Sequence, residues 1–217
     1  MPKRIIYIPR PREEAEKLDA GNPSLVTQGG KWRTHVEGKE GRGLEFHLKC
    51  LGDRFPGDAT DGEAGSQIYI YAGHGLPGVN GAGWPGDPGA VTDQVVVTAA
   101  EIAARISNEG WAPNLFRGKI KVYSCYSGEP GTGGEPPFAS LVAQEMRTLH
   151  WENCTFFGYT TQVMQTYTKL MAMQARNLAE KLEVKVETLS GFHRWSVTGS
   201  KTAKMTVGRA SSARVQF

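Results

Sequence analysis

The chain has 217 residues, 39% of them hydrophobic, a net charge of +3 and three cysteines. That length can bury one full core. The mild charge argues against a nucleic-acid partner, and an odd number of irregularly spaced cysteines argues against a disulfide framework or a cysteine-rich zinc site. No stretch approaches the roughly 18 to 20 apolar residues that a membrane span needs. The start, Met1-Pro2-Lys3-Arg4-Ile5-Ile6-Tyr7-Ile8-Pro9, is charged and then apolar, but Pro9, Arg10 and Arg12 cut the run too short for a signal peptide. The expectation is cytoplasmic synthesis, with export by a route that needs no amino-terminal signal left open.

In chain order, Arg4 to Ile8 reads as a first strand, and Glu13 to Asp19 as one short helix in an otherwise polar, glycine-rich stretch. Leu44 to Cys50 alternates with period two, as a strand wet on one face does. Leu51 to Ser66 is loop, and Gln67 to Gly75 is an apolar strand ending in His74-Gly75. Gly75 to Asp93 is so rich in glycine and proline that no regular element is expected there.

Thr98-Ala99-Ala100-Glu101 is a capping box that opens a helix to about Asn108, with Ile102, Ala103 and Ile106 on one face and Gly110 as its stop. Lys119 to Cys125 is the next strand, and Gly128 to Pro137 a second glycine- and proline-rich loop. A helix follows over Phe138, Leu141, Val142 and Met146, then a strand over Cys154 to Tyr159 and a helix over Thr168 to Glu183. Val184 to Glu187, Trp195 to Val197 and Met205 to Val207 are closing strands. This alternation predicts an α/β domain over 1–217, a mostly parallel central sheet with helices on both faces in three layers. Its core is expected over about 43–190, with a β-hairpin region and tail over 191–217.

In such sheets ligands bind at the carboxyl ends of the strands, where His74 and Cys125 are both expected. The interval between them holds one crossover helix plus the long loop, so their strands can be neighbours. An imidazole beside a thiol serves it as base or as the cation that stabilises a thiolate. Gly75, lacking a β-carbon, lets a substrate carbonyl approach its amide, so the amides of Gly75 and Cys125 are the oxyanion-hole candidates. The two glycine-rich loops lack the lysine and hydroxyl spacing of a P-loop, and read as mobile walls of a cleft. No cofactor or metal is expected.

Two runs carry a family resemblance: Ile68-Tyr69-Ile70-Tyr71-Ala72-Gly73-His74-Gly75 and Ile120-Lys121-Val122-Tyr123-Ser124-Cys125. They resemble the clan CD (caspase-like) cysteine peptidases, which include caspases, gingipains, legumain, separase, CHAT-domain proteases and the self-processing domains of bacterial toxins. The match covers about residues 67 to 128, and the order of elements extends it loosely to 160. The resemblance implies a caspase-like fold, a Cys125 nucleophile, a His74 acid/base and endopeptidase cleavage of a protein substrate, the chain itself included. Tyr123-Ser124-Cys125-Tyr126-Ser127-Gly128 departs from the Gln-Ala-Cys-Xaa-Gly signature of true caspases, so cleavage after aspartate does not carry over. Related proteins act as toxin or effector domains, self-processing domains or proteases that activate a partner.

Around that pair, Asp58, Asp61, Glu129 and Glu135 are carboxylates that a basic P1 side chain would meet, which is the favoured specificity, while Arg42 and Arg54 would suit an acidic one. Asp87 and Asp93 are loop carboxylates in reach of an orienting role for His74, although such groups are usually just solvated. Cys50 and Cys154 read as structural, His47 as facing solvent or a neighbouring strand, and His150 as a group near a helix end; His193 has no partner motif. The basic segment with Lys201, Lys204, Arg209 and Arg214 reads first as solvated surface, and second as a receptor for an anionic activator. Two other readings stay open: a non-catalytic caspase-like binding module, and a thiol enzyme that modifies protein without cutting it.

Overall fold

The computed structural model describes residues 2–17, 23–40, 45–53, 65–84, 95–109, 112–165, 185–186, 194–198 and 206–217. Its centre is a six-stranded sheet made of β1 (Lys3–Pro11), β2 (Glu45–Leu51), β3 (Gln67–Ile70), β6 (Lys119–Val122), β7 (Thr155–Tyr159) and β12 (Arg214–Gln216), in the order β12-β7-β6-β3-β1-β2. Every pairing is parallel except that of β12 with β7. The strand order reverses between β1 and β3: β2 follows β1 on one side, and β3, β6 and β7 run off on the other. Because β1 lies inside the sheet, the core reaches back to Lys3, ahead of the 43–190 span the sequence suggests.

Side-chain alternation divides the sheet into two faces. Ile5, Tyr7, Ile68, Ile70, Ile120, Val122 and Phe156 point into one core with Ile102, Ile106, Val142 and Met146. Those last four come from α3 (Ala99–Asn108) and α4 (Phe138–Thr148). Ile6, Ile8, Tyr69, Tyr71, Tyr123 and Tyr159 point the other way, against Leu25 and Trp32 of α2 (Leu25–Glu40) and Ala15 of α1 (Arg12–Ala15). Helices therefore cover both faces, and the layers are α, β, α. α3 begins at the expected capping box: the Thr98 side chain accepts from the Glu101 amide, and the Glu101 carboxylate accepts from the Thr98 amide at 2.8 Å. It closes at Glu109; Gly110 lies outside the described residues.

The structure adds elements that the sequence reading left out. α2 runs where only polar, glycine-rich chain is expected; Gly29 lies mid-helix, and a β-carbon there would meet Leu48 Cδ1 at 2.8 Å. Gly29 thus lowers helix propensity but leaves room for the Leu48 side chain of β2. The loop after His74, expected to be irregular, forms β4 (Ala82–Trp84), antiparallel to β5 (Val95–Val97). A separate four-stranded sheet has the order β8-β10-β11-β9, built from β8 (Gln162–Gln165), β9 (Lys185–Val186), β10 (Arg194–Thr198) and β11 (Thr206–Arg209). The last part of the chain is thus split: β10 and β11 belong to the small sheet, while β12 returns to the main one. The helix expected over Thr168 to Glu183 lies outside the described residues. Among the described residues, no helix is long and apolar enough to cross a membrane.

Candidate active site

β3 and β6 are neighbours in register, with Ile70 opposite Val122. Both strands stop short of the residues of interest. Tyr71 still pairs through its amide with the Tyr7 carbonyl (2.7 Å), and Tyr123 with the Ile70 carbonyl (2.8 Å), but the chain then leaves the ladder. His74 and Cys125 therefore sit beyond the strand ends, on turns, and not on the strands as the apolar runs suggest.

The His74 turn is held by main chain. His74 and Gly83 exchange two hydrogen bonds, each 2.9 Å, in an isolated antiparallel bridge. Gly73 has φ +116°, and a β-carbon there would meet the Gly83 carbonyl oxygen at 2.4 Å, so only glycine fits this crossing. The imidazole stacks on Trp84, with ring centroids 5.4 Å apart. The Arg10 guanidinium, fully buried at the carboxyl end of β1, donates to the Ala72 carbonyl (3.2 Å), the Ala82 carbonyl (2.7 Å) and the Glu14 carboxylate (2.6 Å). Burial pulls its pKa down, against the opposing pull of Glu14.

The Cys125 turn is held differently. Ser127 is buried and its hydroxyl does two jobs, donating to the Val122 carbonyl (2.7 Å) and accepting from the Tyr159 amide (3.1 Å). Gly128 passes so close to β7 that a β-carbon would lie 2.9 Å from Gly158 C and 2.5 Å from Val215 Cγ2. Tyr126, next to the thiol, has φ +54°, a left-handed conformation that a bulky residue adopts only under constraint. Its amide donates to the Thr161 carbonyl at 3.0 Å.

The two turns touch. A β-carbon on Gly75 would stand 2.3 Å from the Cys125 carbonyl oxygen and 3.2 Å from Ser124 Cβ. Farther out, the Gly78 amide donates to the Glu129 carbonyl (3.2 Å), and Gly78, with φ +67°, packs on Gly131. The two glycine-rich loops thus meet. Glu135 is exposed, and its carboxylate accepts from the Gly133 amide at 3.0 Å, folded back on its own loop. Glu129 is half-buried at the loop contact. Asp58, Asp61, Asp87 and Asp93 lie outside the described residues.

Cys125 is half-buried as a residue, and its sulfur is met by the main chain of β8. Sγ donates to the Val163 carbonyl (3.4 Å) and accepts from the Val163 amide (3.3 Å). Burial pushes the thiol pKa up, with the Val163 amide and the residue's own amide opposing it more weakly. Among the described residues, both hydrogen bonds of the sulfur go to Val163, and the His74 imidazole is not one of its partners. Cys50 and Cys154 are buried structural thiols; Cys154 Sγ donates to the Phe116 carbonyl at 3.3 Å. His47 pairs with Glu45 at 2.8 Å, and His150 is exposed just past α4 with φ +69°. Among the described residues, no group of acidic, histidine and cysteine side chains could hold a metal ion.

Sequence reasoning missed Arg10, Trp84, Tyr126 and Val163. Arg10 stands in a Pro-Arg-Pro-Arg run that reads as surface. Val163 follows Thr160-Thr161-Gln162, which carries no strand signal. Trp84 alone had a cue, as a large aromatic in a stretch otherwise made of small residues.

The fold and the paired turns define an α/β protein with a mostly parallel sheet that carries an imidazole and a thiol on adjoining turns beyond the carboxyl ends of two neighbouring strands. No family model, curated protein or solved structure matches the chain.

Proposed function

We propose that this protein is a cysteine endopeptidase of the caspase-like type, with Cys125 as nucleophile and His74 as acid/base. The observation that carries this reading is the close approach of Gly75 to the Cys125 carbonyl and the Ser124 β-carbon, between turns that follow two parallel, adjacent strands. It sets the His-Gly and Ser-Cys turns side by side, at the sheet edge where α/β proteins bind ligands. The strained Tyr126 next to the thiol adds support, since such conformations gather at working sites. Exposed Leu76 and Val79, just after Gly75, offer apolar surface for a peptide.

In this mechanism the Cys125 thiol gives its proton to His74, the resulting thiolate attacks the scissile carbonyl carbon, and the Gly75 and Cys125 amides hold the oxyanion. As the C–N bond breaks, His74 gives its proton to the departing amine. Water, deprotonated by His74, then attacks the thioester and releases a carboxylate and the free thiol. The Val163 carbonyl holds the thiol proton, so that contact must break for His74 to take the proton. The substrate is a protein, the chain itself included, and a basic P1 residue is the favoured specificity. The family resemblance is what suggests an effector, toxin or partner-activating role, and the proposed chemistry needs no cofactor.

The Val163 contact and the raised thiol pKa favour one second reading, a caspase-like module that binds a partner without cutting. Incubating wild-type and Cys125→Ala protein with a mixed peptide library, with cleavage sites read by mass spectrometry, decides between them. Cuts that share one P1 residue and vanish in the variant establish the peptidase. A mass increase on peptides without cuts points to a modifying thiol enzyme. Uncut, unmodified peptides together with a Cys125 inert to iodoacetamide leave the binding module.

A further inference from the structure

We infer that Arg10 is the positioning residue for His74, fixing where the imidazole sits by tying together the two main-chain segments that carry it. This rests on the reading of His74 as the acid/base. β1 ends beside β3, where the strand order reverses. From there the guanidinium reaches both arms of the His74 turn: Nε donates to the Ala72 carbonyl, two residues before His74, and Nη2 to the Ala82 carbonyl, one before Gly83. His74 and Gly83 are joined by their own pair of hydrogen bonds, and Trp84, the next residue, carries the imidazole on its ring. One planar group thus sets the spacing of the turn that bears the ring and the strand that supports it.

Glu14 completes the clamp by holding the third edge of the guanidinium in an i,i+4 ion pair, so that Arg10 itself has a fixed orientation. Lysine cannot replace it. A single ammonium lacks the rigid fork that serves two carbonyls and a carboxylate in different directions. With the fork gone, two buried carbonyls lose their donor, and the pair of arms is free to shift.

The test uses the full-length chain, isotope-labelled, in wild-type, Arg10→Lys and Glu14→Gln forms, with His74→Gln to assign the His74 ring signal. In folded Arg10→Lys, the His74 ring nitrogen signals should shift, while those of the His47 and His150 rings stay in place. Amide exchange at His74 and Gly83 should quicken about tenfold with Ile70 unchanged. Glu14→Gln keeps both carbonyl bonds, so it should fold even where Arg10→Lys does not, and should quicken the same two amides by about threefold. A His74 ring and amides that match wild type in either folded variant overturn the inference. Because these readouts follow the ring and not turnover, they stand if the peptide library shows no Cys125-dependent cuts. Where cuts occur, Arg10→Lys should lower kcat with KM retained.

Discussion

The His74 arm and the Cys125 arm leave adjacent parallel strands at matching positions, yet they are built on different physics. The His74 arm is a small two-stranded ladder, braced from below by one buried guanidinium and topped by an indole. The Cys125 arm is a tight turn fixed by a buried hydroxyl, by a left-handed Tyr126 and by a glycine pressed against the next strand. The first arm holds its ring at one remove, through main-chain pairing and the Arg10 clamp, so the ring moves only as the whole arm moves. The second is pinned at three consecutive residues and leaves the thiol little freedom. A proton-transferring group tolerates small adjustments on substrate binding, whereas a nucleophile and its oxyanion donors need fixed placement.

Substitutions can break this contrast at graded cost. Trp84→Ala removes a side chain that is 2% exposed and should cost about 4 kcal/mol in urea unfolding, with the His74 arm loosening first. Gly128→Ala forces a methyl group against Gly158 backbone and should cost about 3 kcal/mol; because backbone cannot swing aside, the loss should appear with no compensating gain in thiol reactivity. Ser127→Ala leaves the Val122 carbonyl and the Tyr159 amide without their shared hydroxyl, and about 2 kcal/mol is expected in the same assay. If Ser127→Ala loosened His74 amide exchange as much as it loosens the Cys125 turn, the two arms would be one unit and the contrast would be wrong.

The thiols sharpen the contrast from another side. Burial pushes Cys50 up to about 11 and Cys154 up to about 12. Below the ordinary thiol range both states are protonated, so stability is unaffected. As pH rises past about 9, the unfolded chain ionises its thiols while the folded chain does not, so stability falls, by at most about 1.4 kcal/mol per pH unit for each thiol, until the folded values are reached. Urea midpoints at pH 8 and pH 10.5 should show the drop, and Cys154→Ala should shrink it. Iodoacetamide should reach half-buried Cys125 well before the other two, but more slowly than a free thiol of ordinary pKa.

Much of the frame was legible because it was written in local patterns. β1 and β7 announce themselves by short apolar runs, β2 by alternation and α3 by the Thr98 capping box, and the neighbourhood of β3 and β6 follows from the crossover between them. What could not be read was set by tertiary approach. Gly29 looks like a helix breaker until Leu48 is seen against it. Gly81 looks like loop until β5 is seen against it, since a β-carbon there would meet Val96 Cγ1 at 2.4 Å. Arg10 looks like a surface charge, because nothing in a Pro-Arg-Pro-Arg run says that its acceptors lie in distant strands. Val163 is a single β-branched residue whose main chain, not its side chain, meets the sulfur, and main-chain contacts leave no residue-type signature.

The sheet order also bears on how the chain is made. β12 pairs antiparallel with β7 along the outer side of the main sheet, yet the chain forms the whole of β8 to β11 between them. During synthesis β7 must therefore wait with one row of amides and carbonyls unpaired, beside Phe156 and Phe157, until Arg214 to Gln216 emerges. An open, apolar strand edge of this kind is a template for pairing with another nascent chain. The three-residue β12 acts as a late-arriving seal, and changes that weaken it should show up as lower soluble yield before they register in the stability of the protein that does fold.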